Sequence, residues 1–265
     1  MGNETIKHFT KMDAGTAAGI RYILFDIDDT ITNRGKLGAA AYQALWDLYN
    51  AGYYTIPVTG RPAGWCDAII RQWPICAVIG ENGAFAYYQK EEKICRLTHP
   101  STASGDYRKR LDEIAQTALK EVPGSRVARD QFCRIYDLAL DFNEDPPHLG
   151  LEAARRLKDV CVRLGAEAKI SSIHVNAWFG SYDKVTMALL FMDEVLMEEA
   201  PKKTVLFFGD SPNDEPMFAY FPLSCGVANV RPFLSGMRRH PSFVTAGEGG
   251  EGFAEAAAHF LKLRG

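Results

Sequence analysis

Asp26-Ile27-Asp28-Asp29-Thr30 stands directly after the apolar run Tyr22 to Phe25, and Gly209-Asp210-Ser211-Pro212-Asn213-Asp214 directly after Thr204 to Phe208. Short aromatic and aliphatic runs bounded by turn formers read as buried strands of a parallel sheet. Ligand sites in such sheets form beyond the carboxyl ends of the strands. Two strands therefore bring carboxylates to one place. Acids gathered in this way repel one another unless a cation sits among them, and oxygen-only ligands suit Mg2+. Because Mg2+ usually takes one or two carboxylates and keeps positions for phosphate oxygens, the expected substrate is a phosphate ester.

The elements that must hold these acids alternate along the chain. A helix is expected over Leu37 to Ala51, stopped by Gly52, then a strand over Tyr53 to Val58 leading into Thr59-Gly60-Arg61. Pro62 opens a helix to Gln72, and a third strand, Ile75 to Ile79, runs into Glu81-Asn82-Gly83. That is a βαβαβ start with parallel crossovers. From Ala84 the pattern becomes a hairpin, Ala84 to Tyr88 with Lys93 to Leu97. Helices near Asp106 to Glu121 and Pro147 to Leu164 follow, alternating with strands over Arg134 to Phe142, Ala166 to Ile170 and Ile173 to Phe179. Crossover grammar then returns: helix Lys184 to Glu199, strand Thr204 to Phe208, helix Glu215 to Tyr220, strand Leu223 to Val227, a helical Val230 to Arg239, strand Ser242 to Thr245 and a last helix from Gly252 to Leu263. The fold class expected is α/β, a Rossmann-like doubly wound parallel sheet with an inserted α+β domain. The divisions are 1–83 and 183–265 for the core and 84–182 for the insertion. The loop Gly247 to Gly252 reads as a flexible connection at the edge of the core.

With 265 residues and 47% apolar content the chain can bury a full core. Its net charge of -3 and pI near 6.1 give no basic field for nucleic acid, so no such partner is expected. Met1 to His8 shows neither an apolar signal region nor a myristoylation pattern, and no apolar run approaches the roughly 18 residues of a membrane span. A cytoplasmic protein without a membrane partner, monomeric or a small homo-oligomer, is the expectation. Cys66, Cys76, Cys95, Cys133, Cys161 and Cys225 lack CxxC spacing and read as buried thiols.

The ordered set Asp26-x-Asp28-x-Thr30, Thr59, Lys184 and Gly209-Asp210-x-x-Asn213-Asp214 resembles the haloacid dehalogenase superfamily of phosphotransferases. The long insertion between Thr59 and Lys184, entered through Glu81-Asn82-Gly83-Ala84, resembles the C2-type cap of its Cof-like branch, which includes sucrose-phosphate and mannosyl-phosphoglycerate phosphatases. The resemblance implies that Asp26 is a nucleophile forming an aspartyl-phosphate, and that Asp28 is general acid and base, its main-chain carbonyl also a metal ligand. It further implies that Thr59 and Lys184 hold phosphoryl oxygens, and that Asp26, Asp28, Asp210, Asn213 and Asp214 form the Mg2+ set, directly or through water. Asp29 departs from the pattern, since many relatives have Gly there. It either adds negative potential near the metal or faces solvent.

Gly60, Arg61, Glu81 and Asn82 directly follow core strands and are candidates for substrate contact or for local pairing. Ser171 to Trp178 alternates, so one face carries Ser172, His174, Asn176 and Trp178 or their neighbours, closing over substrate or facing solvent. His174 and Asn176 are the cap residues expected to bind substrate. The function expected is a Mg2+-dependent phosphomonoester hydrolase acting on a small phosphorylated metabolite, a sugar phosphate or glycosyl phosphoglycerate. The alternatives are a phosphohexomutase of the same superfamily or a catalytically silent binding protein. Cap opening is expected to hinge near Gly83 and Gly180 to Asp183.

Overall fold

Tyr22–Phe25 and Val205–Gly209 lie side by side at the centre of a parallel sheet, and every residue of both is buried. A computed structural model of the chain describes residues 6–102, 107–171 and 173–264. Across the six-stranded sheet the order is Lys7–His8, Phe243–Val244, Ser224–Gly226, Val205–Gly209, Tyr22–Phe25, Tyr54–Pro57, all parallel. Side chains alternate between its two faces. Ile23, Phe25, Leu206 and Phe208 pack against the helices Ala39–Asn50 and Gly249–Arg264 through Leu45, Leu48, Phe253 and Phe260. Tyr22, Leu24, Val205 and Phe207 pack the other way, against Met187 and Phe191 of Lys184–Glu194 and Met217 of Glu215–Tyr220. Burying each large apolar side chain stabilises by about 1.5–3 kcal/mol, so the doubly wound arrangement follows from strands that are apolar on both faces.

The third expected strand, Ala77–Gly80, touches the sheet through a parallel bridge between Val58 and Ile79. Its other edge pairs antiparallel with the hairpin Phe85–Lys90 and Lys93–Thr98. Phe85 and Ala86 are buried among core residues, so the hairpin grows from the edge of the core.

Beyond it stands a four-stranded antiparallel sheet in the order Glu167–Ile170, His174–Trp178, Asp137–Asp141, Arg126–Val127. Leu138, Leu140, Ala168, Val175 and Ala177 cover one face, packed on the helices Tyr107–Glu121 and Gly150–Arg163. By alternation Asp137, Asp141, Lys169, His174, Asn176 and Trp178 share the opposite face. Trp178 there joins the core cluster and stacks on Tyr182, with ring centroids 5.6 Å apart. The polar face therefore looks toward the core sheet and is no solvent-facing row.

Several boundaries moved for local reasons. The helix expected from Leu37 begins at Ala39, because Lys36–Leu37 pairs with Thr32–Asn33. The helix expected to reach Glu199 stops at Glu194. The Val230 to Arg239 segment is a 3-10 helix over Ala228–Gly236 with Pro232 inside it. The reading of Gly247 to Gly252 as a flexible connection is overturned: the last helix starts at Gly249, and Gly249, Gly250 and Gly252 are buried. A Cβ on Gly249, whose φ is +49°, would meet Thr32 O at 2.6 Å, so glycine is a packing requirement here. Lys7–His8 and the short helix Ala14–Ala18 were not anticipated. Met1 to Thr5, Asp106 and Ser172, which the sequence reading used, lie outside the described residues. No described helix is long and apolar enough to cross a membrane.

Candidate active site

Register brings the two acidic loops together. Phe25 is paired with Phe208, and the Asp26 N–H donates to Phe208 O at 3.0 Å, so Asp26 and Asp210 leave adjacent strand ends. The helix Lys184–Glu194 starts beside them, its N-terminus closed by a capping box between Asp183 and Thr186. Lys184 is thereby fixed, buried, with Nζ donating to Asp26 Oδ1 at 2.7 Å and Asp214 Oδ1 at 2.8 Å. The Asp210 N–H donates to Asp214 Oδ2 at 3.1 Å, so both Asp214 oxygens are engaged. Gly209 is obligatory for this contact, since a Cβ there would lie 2.5 Å from Asp214 Oδ2.

Carboxylate oxygens of Asp26, Asp210 and Asp214 lie within 4.8 Å of one another, all buried, with Lys184 bonded to two of the three. Burial, with the charges of Asp214 and Asp28 added, pushes Asp26 up to about 7 against the pull of Lys184. Burial and then Asp214 and Asp26 push Asp210 up as well. Burial opposes the charge on Lys184, yet Asp214 and Asp26 outweigh it and hold its pKa above the usual lysine value. Three acids against one ammonium leave uncompensated negative charge in a buried place, which a divalent cation with oxygen ligands relieves. Asp26 and Asp210 fit that task. Asp214 stands in the same cluster, and its two oxygens also hold Lys184 and the Asp210 turn. Asn213 Oδ1 accepts from Ser211 Oγ at 3.0 Å.

Asp28 stands apart from those acids. Its carboxylate accepts two bonds from Arg61, Nη2 at 2.6 Å and Nε at 2.9 Å. Arg61 in turn lies 4.3 Å over the Trp65 ring, and its N–H donates to Thr59 Oγ1 at 3.0 Å. Thr59 is buried, at the end of the strand next to Tyr22–Phe25. Asn82 takes a left-handed conformation, φ +57°, packed against Gly60, and its Nδ2 is a buried donor with no partner among the described residues. An orphaned donor beside the acid cluster is what an anion with several oxygens would satisfy.

A family model described as haloacid dehalogenase-like hydrolase matches residues 23–115. The Thermoplasma acidophilum protein 0175 superposes with a TM-score of 0.71 at 21% identity, covering 92% of this chain and 99% of that one. A HAD/COF-like hydrolase from Plasmodium vivax gives 0.71 at 17% identity, covering 96% and 98%. Sucrose-phosphatase from Synechocystis sp. PCC6803, solved with sucrose and phosphate, gives 0.57 at 18%, covering 92% and 98%. Residues 23–115 are thus similar to the haloacid dehalogenase-like hydrolases, and the chain as a whole shares the fold of these solved structures. No curated protein matches it by sequence.

Between the core and the second sheet the chain encloses a cavity of about 740 Å³. Its walls include Asp26, Asp28, Asp29, Gly60, Arg61, Asn82, Asp210 and Asn213 from the core, and His174 and Asn176 from the second sheet. Asp29 thus faces the cavity, in a left-handed conformation with φ +58°. Thr59 and Lys184 reach the cavity through Arg61 and Asp26, to which they are bonded. His174 Nε2 is 2.8 Å from Glu144 Oε2, and Asn176 Nδ2 donates to Asp137 Oδ2 at 3.1 Å.

Two residues acquire roles that sequence reasoning missed. Glu81, a candidate for substrate contact, is fully buried and accepts N–H donors from Ala63, Ile135, Tyr136 and Asp137. Arg134 donates to Gly60 O at 3.1 Å while paired with Asp130 and Asp137. Both join residues 134–137, leading into Asp137–Asp141 of the second sheet, to residues 60–63. The spacing Asp130, Arg134, Asp137 was a visible charge cluster, but nothing local tied it to Gly60.

Proposed function

We propose that this chain is a Mg2+-dependent phosphomonoester hydrolase working through an aspartyl-phosphate on a small phosphorylated metabolite. The observation that carries the reading is Asp26, bonded to Lys184 and beside Asp210, at the floor of a cavity that Asp28 also lines. Asp26 attacks phosphorus, a P–O bond forms to its carboxylate, and the ester P–O bond breaks with its electron pair passing to the leaving oxygen. Asp28 gives that oxygen a proton, then takes one back from the water that attacks the acyl phosphate, releasing inorganic phosphate and Asp26. Arg61 aims Asp28. Lys184 and the Asn82 amide meet the phosphoryl oxygens, with the Thr59 hydroxyl behind them. Held by Asp26 and Asp210, with the Asp28 carbonyl, Mg2+ would neutralise charge on the transferring group.

Residues 84–182 act as the cap in this reading, rooted through the hairpin, with 1–83 and 183–265 as the core. The neighbours that include sucrose-phosphatase favour a sugar phosphate, and the resemblance read from the sequence adds a glycosyl phosphoglycerate. The test is phosphate release from a panel of sugar phosphates, phosphoglycerates, nucleotides and an aryl phosphate, with Mg2+ and with chelator. Mg2+-dependent release centred on one metabolite upholds the reading. Silence across the panel, or turnover by Asp26→Asn at the wild-type rate, overturns it.

A further inference from the structure

Cations around the reaction centre are mostly committed, and Arg155, on the cavity wall, pairs with Glu152 at 3.7 Å while largely exposed. Lys184 is bonded to Asp26 and Asp214, Arg61 to Asp28, and Arg134 to Asp130 and Asp137. Lys169 is different. It lies on Glu167–Ile170 directly opposite Asn176, so its side chain leaves the cap sheet on the face that carries Asn176 to the cavity wall. Its neighbour Ala168 turns to the helix-packed face. Among the described residues the Lys169 side chain makes no hydrogen bond and no ion pair, though it is only partly exposed. Burial lowers its pKa, and besides Glu167 the charges it feels are Asp183, Lys184 and Asp214. An ammonium desolvated without a partner is costly.

The other polar groups of this face are already engaged, His174 with Glu144 and Asn176 with Asp137. In-line attack by Asp26 from the core strand sends the leaving group away from the core, toward the cap. We propose that Lys169 is a specificity residue, binding a second anionic group, carboxylate or phosphate, carried by the leaving group of the monoester. This rests on the phosphatase reading above. It makes the substrate a phosphate ester with a further acid function, in preference to a neutral sugar phosphate.

Matched esters isolate that anion: 3-phosphoglycerate against glycerol 3-phosphate for a carboxylate, glucose 1,6-bisphosphate against glucose 6-phosphate for a phosphate. Wild type should prefer the more charged member of one pair by about tenfold or more in kcat/KM, as a charge-assisted bond provides. The pair that shows the preference names the anion. Lys169→Met should bring the ratio close to one, mainly through KM, and Lys169→Arg should restore part of it, while the Lys169→Met melting temperature stays at or above wild type. A ratio already near one in wild type, or a preference that survives Lys169→Met, overturns the proposal. If wild type releases phosphate from no ester, the phosphatase reading falls on its own. Calorimetric binding of the same pairs then decides Lys169: tighter binding of the more charged member, lost in Lys169→Met, upholds it, and equal binding overturns it.

Discussion

Asp26, Lys184 and Asp214 form a chain of two buried ion pairs, and the consequences of breaking it depend on which member goes. Removing the ammonium strands two buried carboxylates, and loss of one partner from a buried pair costs about 3–5 kcal/mol. Lys184→Met should therefore lower stability by that amount, read from urea unfolding. Asp26→Asn behaves oppositely. The amide oxygen still accepts from Lys184 while one crowded charge disappears, so the melting temperature should hold or rise although phosphate release falls by at least about a thousandfold. A variant that unfolds instead would show that Asp26 is needed for structure. Arg61 bonds the Asp28 carboxylate and neither Asp26 nor Asp210, so Arg61→Ala should lower kcat by roughly a hundredfold through misplacement of Asp28. A normal kcat would detach Asp28 from proton transfer.

Among the elements, the junctions of cap and core matter most. Gly83 has φ +108°, and a Cβ there would sit 2.1 Å from Asp183 O, so the outgoing and returning chains touch at a point where only glycine fits. Gly83→Ala should cost at least about 2 kcal/mol, from left-handed strain and a backbone clash together. Unchanged urea unfolding would contradict the described contact. Glu81 ties cap residues 135–137 to the N-terminus of Ala63–Gln72. Burial and then Asp137 push it up to about 7, against the pull of the Ile135 and Tyr136 N–H groups. Because its folded value lies above the unfolded one, its contribution is full at acid pH and is lost as pH rises through about 7. The difference in melting temperature between wild type and Glu81→Gln should shift against wild type across that range, and a flat difference from pH 4.5 to 8 would refute it. These clamps also argue that any hinge at Gly83 and Gly180 to Asp183 works against fixed bonds at 81 and 134.

At the scale of the whole molecule, excess negative charge in the closed site links metal to stability. A ligand that binds only the folded state at a hundred times its Kd adds about 2.7 kcal/mol. Added Mg2+ should raise the melting temperature and chelator should reverse it, and Asp210→Asn should blunt the response. A wild-type melting temperature indifferent to Mg2+ would argue against the cluster as a metal site.

The core sheet, the hairpin and the acidic loops were legible because each rests on local information: an apolar run long enough for one buried strand, followed at once by its carboxylates. Thr59, Lys184 and Asp210 could likewise be placed at element ends from neighbouring residues alone. What local pattern could not hold is who bonds whom. Lys184 finds Asp26 158 residues away, and that distance is closed by strand register and by one helix start. Tertiary structure alone decided that Asp214 is occupied by Lys184, that Arg61 belongs to Asp28, that Glu81 is a clamp, and that Lys169 has no ion-pair partner among the described residues. The physical reason is that a side chain's chemistry depends on what it faces across elements, whereas sequence periodicity reports only which way it points from its own.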